Sequence, residues 1–454
     1  MSDTAPGRAA PGLCCWLRGR SLRPSEETAM YDHRQLGREL QIFDTDPLIG
    51  AGLPYWLPAG AAIRHALEEY VRELERRAGY QHVYSPVLAK RELYELSGHW
   101  EHYRDGMYPP MAVDPVAEGD PGPGGDSGPG AGGQVVLRPS MCPHHAVMFR
   151  SRGRSYRELP LRMAELGGQY RAELSGVLGG LTRVRGMQLN DAHIFCTLEQ
   201  AAGEAASALA MIRQAHEALG IEPARYRLSL ASDSAKYVGS AQMWADATAM
   251  LRDVLATSGI DYEVEEGEAA FYGPKIDVQV ADSAEREASI ATVQIDFYQP
   301  ERFSLEYVGA DGAKHRPVMV HRSIIGSAER AVGHLLDVYG GAFPPWLAPV
   351  QLVALPVSEA QLAAAEELVQ QAIEQGLRAE VASDGSLGAR IRAHKLVPYL
   401  AVIGATEAAA GEASIRLRGG QRLPQMSVAE ALTRIDRQVK AHTIELWSAP
   451  NAAA

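Results

Sequence analysis

The stretch over residues 166–196, LGGQYRAELSGVLGGLTRVRGMQLNDAHIFC, constrains this chain more than any other. Gln169-Tyr170-Arg171-Ala172-Glu173 reads as strand-like, and a loop carrying Gly176, Gly179 and Gly180 follows. Thr182-Arg183-Val184-Arg185-Gly186 then leads into a β-like run over 187–195 with polar Asn190, Asp191 and His193. A glycine-rich loop between two strands lets backbone approach a ligand closely. Arginine and glutamate at the strand end add the chemistry. A guanidinium fork grips phosphate bidentately, and a carboxylate accepts a hydrogen bond from an exocyclic amine. The pattern suits a polyanion with a purine attached. Taken alone, an R-x-E triplet is more often a salt-bridged surface hairpin.

Composition limits what can surround this stretch. At 454 residues, more than one domain is expected. A chain that is 46% hydrophobic and 22% charged has the make-up of a soluble globular protein. The net charge of −12 excludes a broadly basic surface, so any nucleic-acid contact has to be local. The four cysteines, Cys14, Cys15, Cys142 and Cys196, are too few and too scattered for a disulfide framework, which fits a reducing cytoplasm. No apolar run reaches membrane-crossing length, so no membrane partner is expected. Residues 1–30, rich in Pro, Gly, Arg and Ser, read as a disordered leader. They lack the continuous apolar segment of a secretory signal, and Met30 is a candidate start because ordered-looking sequence follows it directly.

As a whole, the 166–196 string resembles motif 2 of the class II aminoacyl-tRNA synthetases, and among them the threonyl-tRNA synthetases, whose pattern includes R-x-E, G-L-x-R-V-R-G and D-A-H-I-F-C. Other segments carry the same resemblance. Residues 60–77 read as an amphipathic helix, with Ile63, Leu67, Tyr70, Val71 and Leu74 on one face. A short strand over 81–86 is stopped by Pro86. Long helix, strand and proline resemble motif 1, which builds the family's dimer interface, so a homodimer is implied. Residues 93–107, LYELSGHWEHYRDGM, resemble the G-H-W segment near the active site, and 268–277, EAAFYGPKID, match A-F-Y-G-P-K-I. Residues 292–297 alternate as a sheet strand, and 318–330, VMVHRSIIGSAER, resemble motif 3.

The resemblance implies an α/β (α+β) fold. A class II catalytic domain built on an antiparallel sheet is expected over 31–344, with a disordered Gly/Pro-rich loop at 112–134, and a small anticodon-binding-like α/β domain over 345–454. It also implies roles. Arg330 contacts the terminal phosphate of ATP, Arg171 the α-phosphate and the amino-acid carboxylate, and Glu173 the adenine. Arg183 joins them among the cofactor-binding residues, and Mg²⁺ accompanies the ATP. Asp191, Tyr272, Thr292, Gln294, Leu189, Ser140 and Ser323 fall at positions that bind the amino acid.

Cys142, His193 and His321 are separated by 51 and 128 residues, nothing like the local spacing of a zinc finger. Read singly, each is an ordinary buried side chain. The threonyl enzymes hold zinc with one Cys and two His in these motif contexts, and residue-by-residue matching gives Cys142, His193 and His321, one Zn²⁺ per chain. In the family the metal takes the α-amine and β-hydroxyl of the amino acid. Valine, isosteric with threonine but lacking the hydroxyl, is thereby excluded, whereas serine is not.

Several positions depart from the family pattern. Leu189 stands where a glutamine usually meets the amino-acid carboxylate, Ser140 replaces a methionine, and Ser323 an alanine. Ile290 replaces a cysteine, and Tyr298-Gln299 replaces a small residue followed by an apolar one. Residues 346–349, WLAP, read as a hinge, after which strands and helices alternate as in a separate α/β domain. That domain resembles the anticodon-binding domain shared by the threonyl, prolyl, histidyl and glycyl synthetases. It carries 10 Lys and Arg against 11 Asp and Glu, poor footing for phosphate neutralisation. Asp384 takes the place of an anticodon-reading asparagine, and 394–398 lacks the usual arginine, although Glu407 and Arg416 match. The likeness begins near Tyr31, so an editing domain is not expected, and serine once activated would not be removed in cis.

Three functions follow. The first is a threonine–tRNA ligase of protein biosynthesis, taking threonine, ATP and tRNA in the cytoplasm. The second is a paralogue that activates threonine or another β-substituted amino acid for specialised biosynthesis or inhibitor self-resistance. The third is a non-catalytic regulatory protein, which the retained Arg171, Glu173 and Arg330 disfavour.

Overall fold

The computed structural model describes residues 31–113, 133–282 and 285–447. The leader over 1–30, with Met30 as candidate start, and residues 114–132 of the Gly/Pro-rich loop lie outside the described residues. The ends of that loop are not irregular as expected. Met111–Ala112 pairs with Gln134–Leu137, which also pairs with Leu88–Lys90, giving a small three-stranded sheet.

Period-two patterning builds the centre of the molecule. Eight strands contribute: β1 Gln81–His82, β2 Leu161–Tyr170, β3 Gly186–Cys196, β4 Arg225–Leu230, β5 Tyr262–Glu266, β6 Lys275–Ala281, β7 Glu287–Asp296 and β8 Val318–Ser323. They form one sheet in the order β5-β4-β6-β7-β8-β3-β2-β1. The inner pairs are antiparallel, and only the outermost pairs at each side, β5 with β4 and β2 with β1, are parallel. Successive side chains of a strand face opposite ways. Ala164, Ala192, Ile194, Ile276, Val278, Val293, Ile295 and Val320 thus share one face and the main hydrophobic core. Four helices supply that core with Leu67, Leu209, Leu251 and Leu335. They are α1 Pro58–Arg77, α3 Leu198–Leu219, α4 Ala241–Thr257 and α5 Ala328–Tyr339; a shorter helix, α2 Cys142–Arg150, lies across the opposite face.

Helix α1 begins at a proline, whose fixed φ suits a first turn, and buries the apolar stripe that its spacing predicts. It also buries Glu75, which spacing assigns to neither face. Glu75 Oε1 accepts from Arg322 Nη2 (2.7 Å) and Asn190 Nδ2 (2.8 Å), pinning α1 to β8 and β3.

From residue 352 a second sheet follows, in the order β10-β9-β11-β12-β13: β9 Leu352–Pro356, β10 Ala379–Val381, β11 Tyr399–Ile403, β12 Glu412–Leu417 and β13 Met426–Ser427. Helices α6 Leu362–Glu374, α7 Leu387–Ala393 and α8 Val428–Lys440 accompany it. It has its own core around Leu368, Ile415, Leu432 and Ile435. The WLAP segment is not a free hinge. Trp346 is 2% exposed and packs against the rings of Tyr70 and His442, each 5.0 Å away. Arg378 donates to the carbonyls of Trp346 (2.7 Å) and Ala348 (2.9 Å). Among the described residues no helix is long and apolar enough to cross a membrane.

Candidate active site

Residues directly opposite on neighbouring strands share a face, so register lays the site out in rows. Lys275, Gln294, His321 and His193 are successive cross-strand partners on β6, β7, β8 and β3. Two residues along, Asp277, Thr292 and Ser323 form the next row, and Asp191 precedes His193 by two on β3. This polar face, turned away from the helices, floors a cavity of about 550 Å³, a volume typical of small-molecule sites. Its walls come from elsewhere: His99 and Tyr103, Ser140 and Cys142, Phe271 and Tyr272, Arg171 just past β2, and Arg330 in the first turn of α5.

Cys142, His193 and His321 come together, one ligand atom of each within 4.8 Å of the others, all three buried. Their outer hydrogen bonds fix the rings. His193 Nδ1 is 2.8 Å from His145 Nδ1, and His145 Nε2 is 3.1 Å from Glu165 Oε2. His321 Nε2 lies 2.8 Å from Asp296 Oδ2, and its ring stacks on Tyr272 at 4.9 Å. His193 Nε2 is buried with no hydrogen-bond partner. Burial holds the His193 ring well below the ordinary histidine range and therefore neutral. Burial likewise pushes the Cys142 thiol up to about 12, against the pull of hydrogen bonds from Ser140 and Gln299. A neutral imidazole with an orphaned nitrogen beside a thiol that cannot ionise unaided is the donor set a soft divalent ion satisfies. These residues fit a metal.

The same cavity is lined by two guanidinium groups, those of Arg171 and Arg330. Arg330 is fixed by its own turn: Ser327 caps α5 by accepting from the Arg330 N–H (3.1 Å). Its side chain donates to Thr182 O through Nε (3.0 Å) and to Ser289 O through Nη1 (2.7 Å). Burial and the charges of Arg171 and Arg183 lower its proton affinity. Arg171 keeps a buried Nε without a partner, with its guanidinium 6.0 Å from the Tyr103 ring. Two cations that line one cavity and sense each other's charge favour a polyanion there.

Most residues singled out from sequence meet here. Arg171, Arg330, Asp191, Tyr272, Thr292, Gln294, Leu189, Ser140, Ser323, Cys142 and His321 all line the cavity, and His193 completes the buried trio behind it. Tyr272 donates its hydroxyl to Gln294 Oε1 (2.7 Å), and Gln294 donates to Thr292 Oγ1 (3.3 Å). Ser323 spends its hydroxyl on Asn190 O (2.5 Å). Glu173 and Arg183 are not in the cavity wall; they pair with each other (2.9 Å) on the loop between β2 and β3. Sequence reasoning missed the specific roles of Lys275, His99 and Asp296. Lys275 donates to Asp277 (2.6 Å) on the floor. The signal for it was present, because it is the lysine of the A-F-Y-G-P-K-I string. Asp296 had no such signal, since its partner is 25 residues away on another strand.

Comparisons with known proteins fit this geometry. Residues 131–339 match the tRNA synthetase class II core domain (G, H, P, S and T), and 351–438 match an anticodon binding domain. The threonine–tRNA ligase of Geobacillus sp. (strain WCH70) is 43% identical over 425 residues, 92% of this chain and 63% of the relative. Threonine–tRNA ligase 1 of Bacillus subtilis (strain 168) is 43% identical over 92% of this chain and 64% of the relative. The chain therefore spans less than two thirds of the length of these curated relatives. A crystal structure titled the RNA binding domain of threonyl-tRNA synthetase from Cryptosporidium parvum Iowa II superposes with a TM-score of 0.81 at 32% identity. That match covers 91% of this chain and 99% of that one.

Proposed function

The chain belongs to the threonyl-tRNA synthetase family of class II aminoacyl-tRNA synthetases, and from that membership we propose that it activates L-threonine with ATP to threonyl-adenylate and passes the acyl group to the 3′ end of tRNA. One observation carries the reading: a single cavity is lined by two phosphate-competent arginines together with Cys142 and His321, which His193 joins from behind the wall as a buried trio.

Arg171 takes the α-phosphate and the amino-acid carboxylate, and its unpartnered Nε is a donor available for that purpose. Arg330, braced by two carbonyls, faces the terminal phosphates. Together they offset charge that develops during in-line attack, with Mg²⁺ on the phosphates. Glu173 receives the adenine amine, with Arg183 beside it. Asp191, Tyr272, Thr292 and Gln294 orient the amino acid, and Leu189, Ser140 and Ser323 shape its surroundings. Cys142, His193 and His321 hold Zn²⁺, which supplies Lewis-acid recognition of the α-amine and β-hydroxyl. The catalytic domain is taken over 31–344 and the anticodon-binding-like domain over 345–454; a separate core from Leu352 onward supports two domains, while Trp346, Leu347 and Ala348 pack into the first core. The enzyme works as a cytoplasmic homodimer. Tyr84 is 77% exposed beside exposed Val87 and Leu88, just past edge strand β1, apolar surface that a second copy would cover.

The second reading is a paralogue activating another β-substituted amino acid. It is favoured by Leu189, an apolar residue in the cavity wall where a carboxylate partner belongs. ATP–pyrophosphate exchange across a panel of amino acids tests both. Exchange led by threonine, and reduced roughly 10²–10³-fold by Arg330→Ala, is the expected result. Exchange led by another amino acid selects the paralogue, and no exchange with any rejects activation.

A further inference from the structure

Two positions at which this chain departs from its family pattern meet on one atom. Gln299 Nε2 and Ser140 Oγ each lie 3.2 Å from Cys142 Sγ. Gln299 is fully buried in the short helix Tyr298–Arg302. Its backbone N–H donates to Asp296 Oδ1 (2.9 Å), the carboxylate whose other oxygen holds His321. Gln299 thus contacts one candidate ligand directly and is linked to a second, His321, through Asp296. The orientation of its amide follows from chemistry, because a thiolate can only accept and the NH₂ must face it. The opposite oxygen, Oε1, is then left buried without a hydrogen-bond partner, a cost that an apolar side chain would not carry. What the glutamine gains in exchange is the bond to sulfur.

Ser140 stands between two acceptors, His99 Nε2 at 2.9 Å and the sulfur at 3.2 Å. A charged sulfur outcompetes a neutral imidazole for the hydroxyl proton. Ser140 reaches Sγ from the cavity wall that it shares with Cys142, and Gln299 reaches it from the buried side behind that wall.

We infer that Gln299 and Ser140 tune the metal centre of this chain: by hydrogen-bonding the Cys142 thiolate they draw charge from the sulfur, leaving the bound ion a stronger Lewis acid toward the amine and hydroxyl of the amino acid. Outer partners of metal ligands act in this way, setting ligand basicity rather than coordination number. The inference rests on the zinc reading above. Gln299 and Ser140 act through Cys142 and are tuning residues, not catalytic ones.

Cobalt(II) substituted into the full chain reports on the sulfur through its thiolate-to-metal charge-transfer band. Gln299→Leu, which restores an apolar residue, should move that band to lower energy. Ser140→Ala should do the same, and the double variant should move it furthest. Threonine titrated against the cobalt d–d bands should bind about tenfold more weakly to the double variant. Gln299→Met, unbranched and of similar length, replaces the leucine variant if circular dichroism shows that the latter does not fold. A band unmoved in folded variants overturns the inference. If the parent chain itself gives no charge-transfer band with cobalt, the metal reading falls and this inference with it.

Discussion

Position 329 puts a carboxylate where helix chemistry alone would not. Glu329 sits in the first turn of α5, where a negative charge normally faces solvent and favours the helix dipole. Here it is buried against β3, with Oε2 accepting from the Gln188 N–H (3.0 Å). Burial pushes its pKa up to about 7. The folded state therefore binds this proton more tightly than the unfolded chain does. The associated stability is complete below the ordinary carboxylate value near 4.5 and is lost as pH rises through about 7. Glu329→Gln keeps an acceptor for Gln188 and removes the charge. As pH rises from about 4.5 to about 7 the urea midpoint of the parent should lose ground to that of the variant, because this carboxyl is the titrating group in which the two differ. The sequence around it, SAER, gives no hint of burial, because the covering strand is about 140 residues away. The convergence of Cys142, His193 and His321 was equally silent as spacing, and only motif context drew the three together. Gln299 was visible as a departure from pattern, but the sulfur it faces was not.

At the scale of elements, the alternation in β7 and the apolar stripe of α1 could be read directly, because each is a local period. Strand β2 was not. Its burial runs across nearly every residue, so it shows no alternation, and Gly167 and Gly168 disguise it as loop; Arg171 consequently lies past the strand end rather than within it. The A-F-Y-G-P-K-I segment shows what a glycine can be for. A Cβ on Gly273 would stand 2.4 Å from the carbonyl oxygen of Ile295, so the segment can press on β7 only without one. That contact sets Tyr272 over His321 and against Gln294. Gly273→Ala should cost on the order of 1–3 kcal/mol, seen as a lowered Tm. It should also raise KM for the amino acid more than KM for ATP, because Tyr272 moves while Arg171 and Arg330 do not.

For the whole molecule, the change of composition near residue 344 located the second sheet correctly, since a strand–helix alternation is written locally. What holds that sheet to the rest was illegible, because Trp346 and its clamp, Arg378, meet across 32 residues, and a Trp-Leu-Ala-Pro string looks like a linker. Order within the large sheet was also hidden, because two of its seven pairings, β4 with β6 and β8 with β3, join strands that are not consecutive along the chain. The clamp makes a prediction. Calorimetry of the parent should give one cooperative transition, because Arg378 joins the second sheet to a tryptophan seated in the first core. Arg378→Ala should split it, with the C-terminal sheet melting first; a single unsplit transition in the variant would show that the coupling lies elsewhere.

The pairing of His321 opposite His193 has one more consequence. Sliding β8 against β3 by a single residue would turn an imidazole toward the helices and present a neighbour such as Arg322 or Ala192 in its stead. Such a slipped molecule could look folded by its secondary structure and still have lost the trio. Under the proposed zinc reading the site would serve as a checksum on the sheet: binding of an ion by the trio would certify the alignment of strands drawn from distant parts of the sequence.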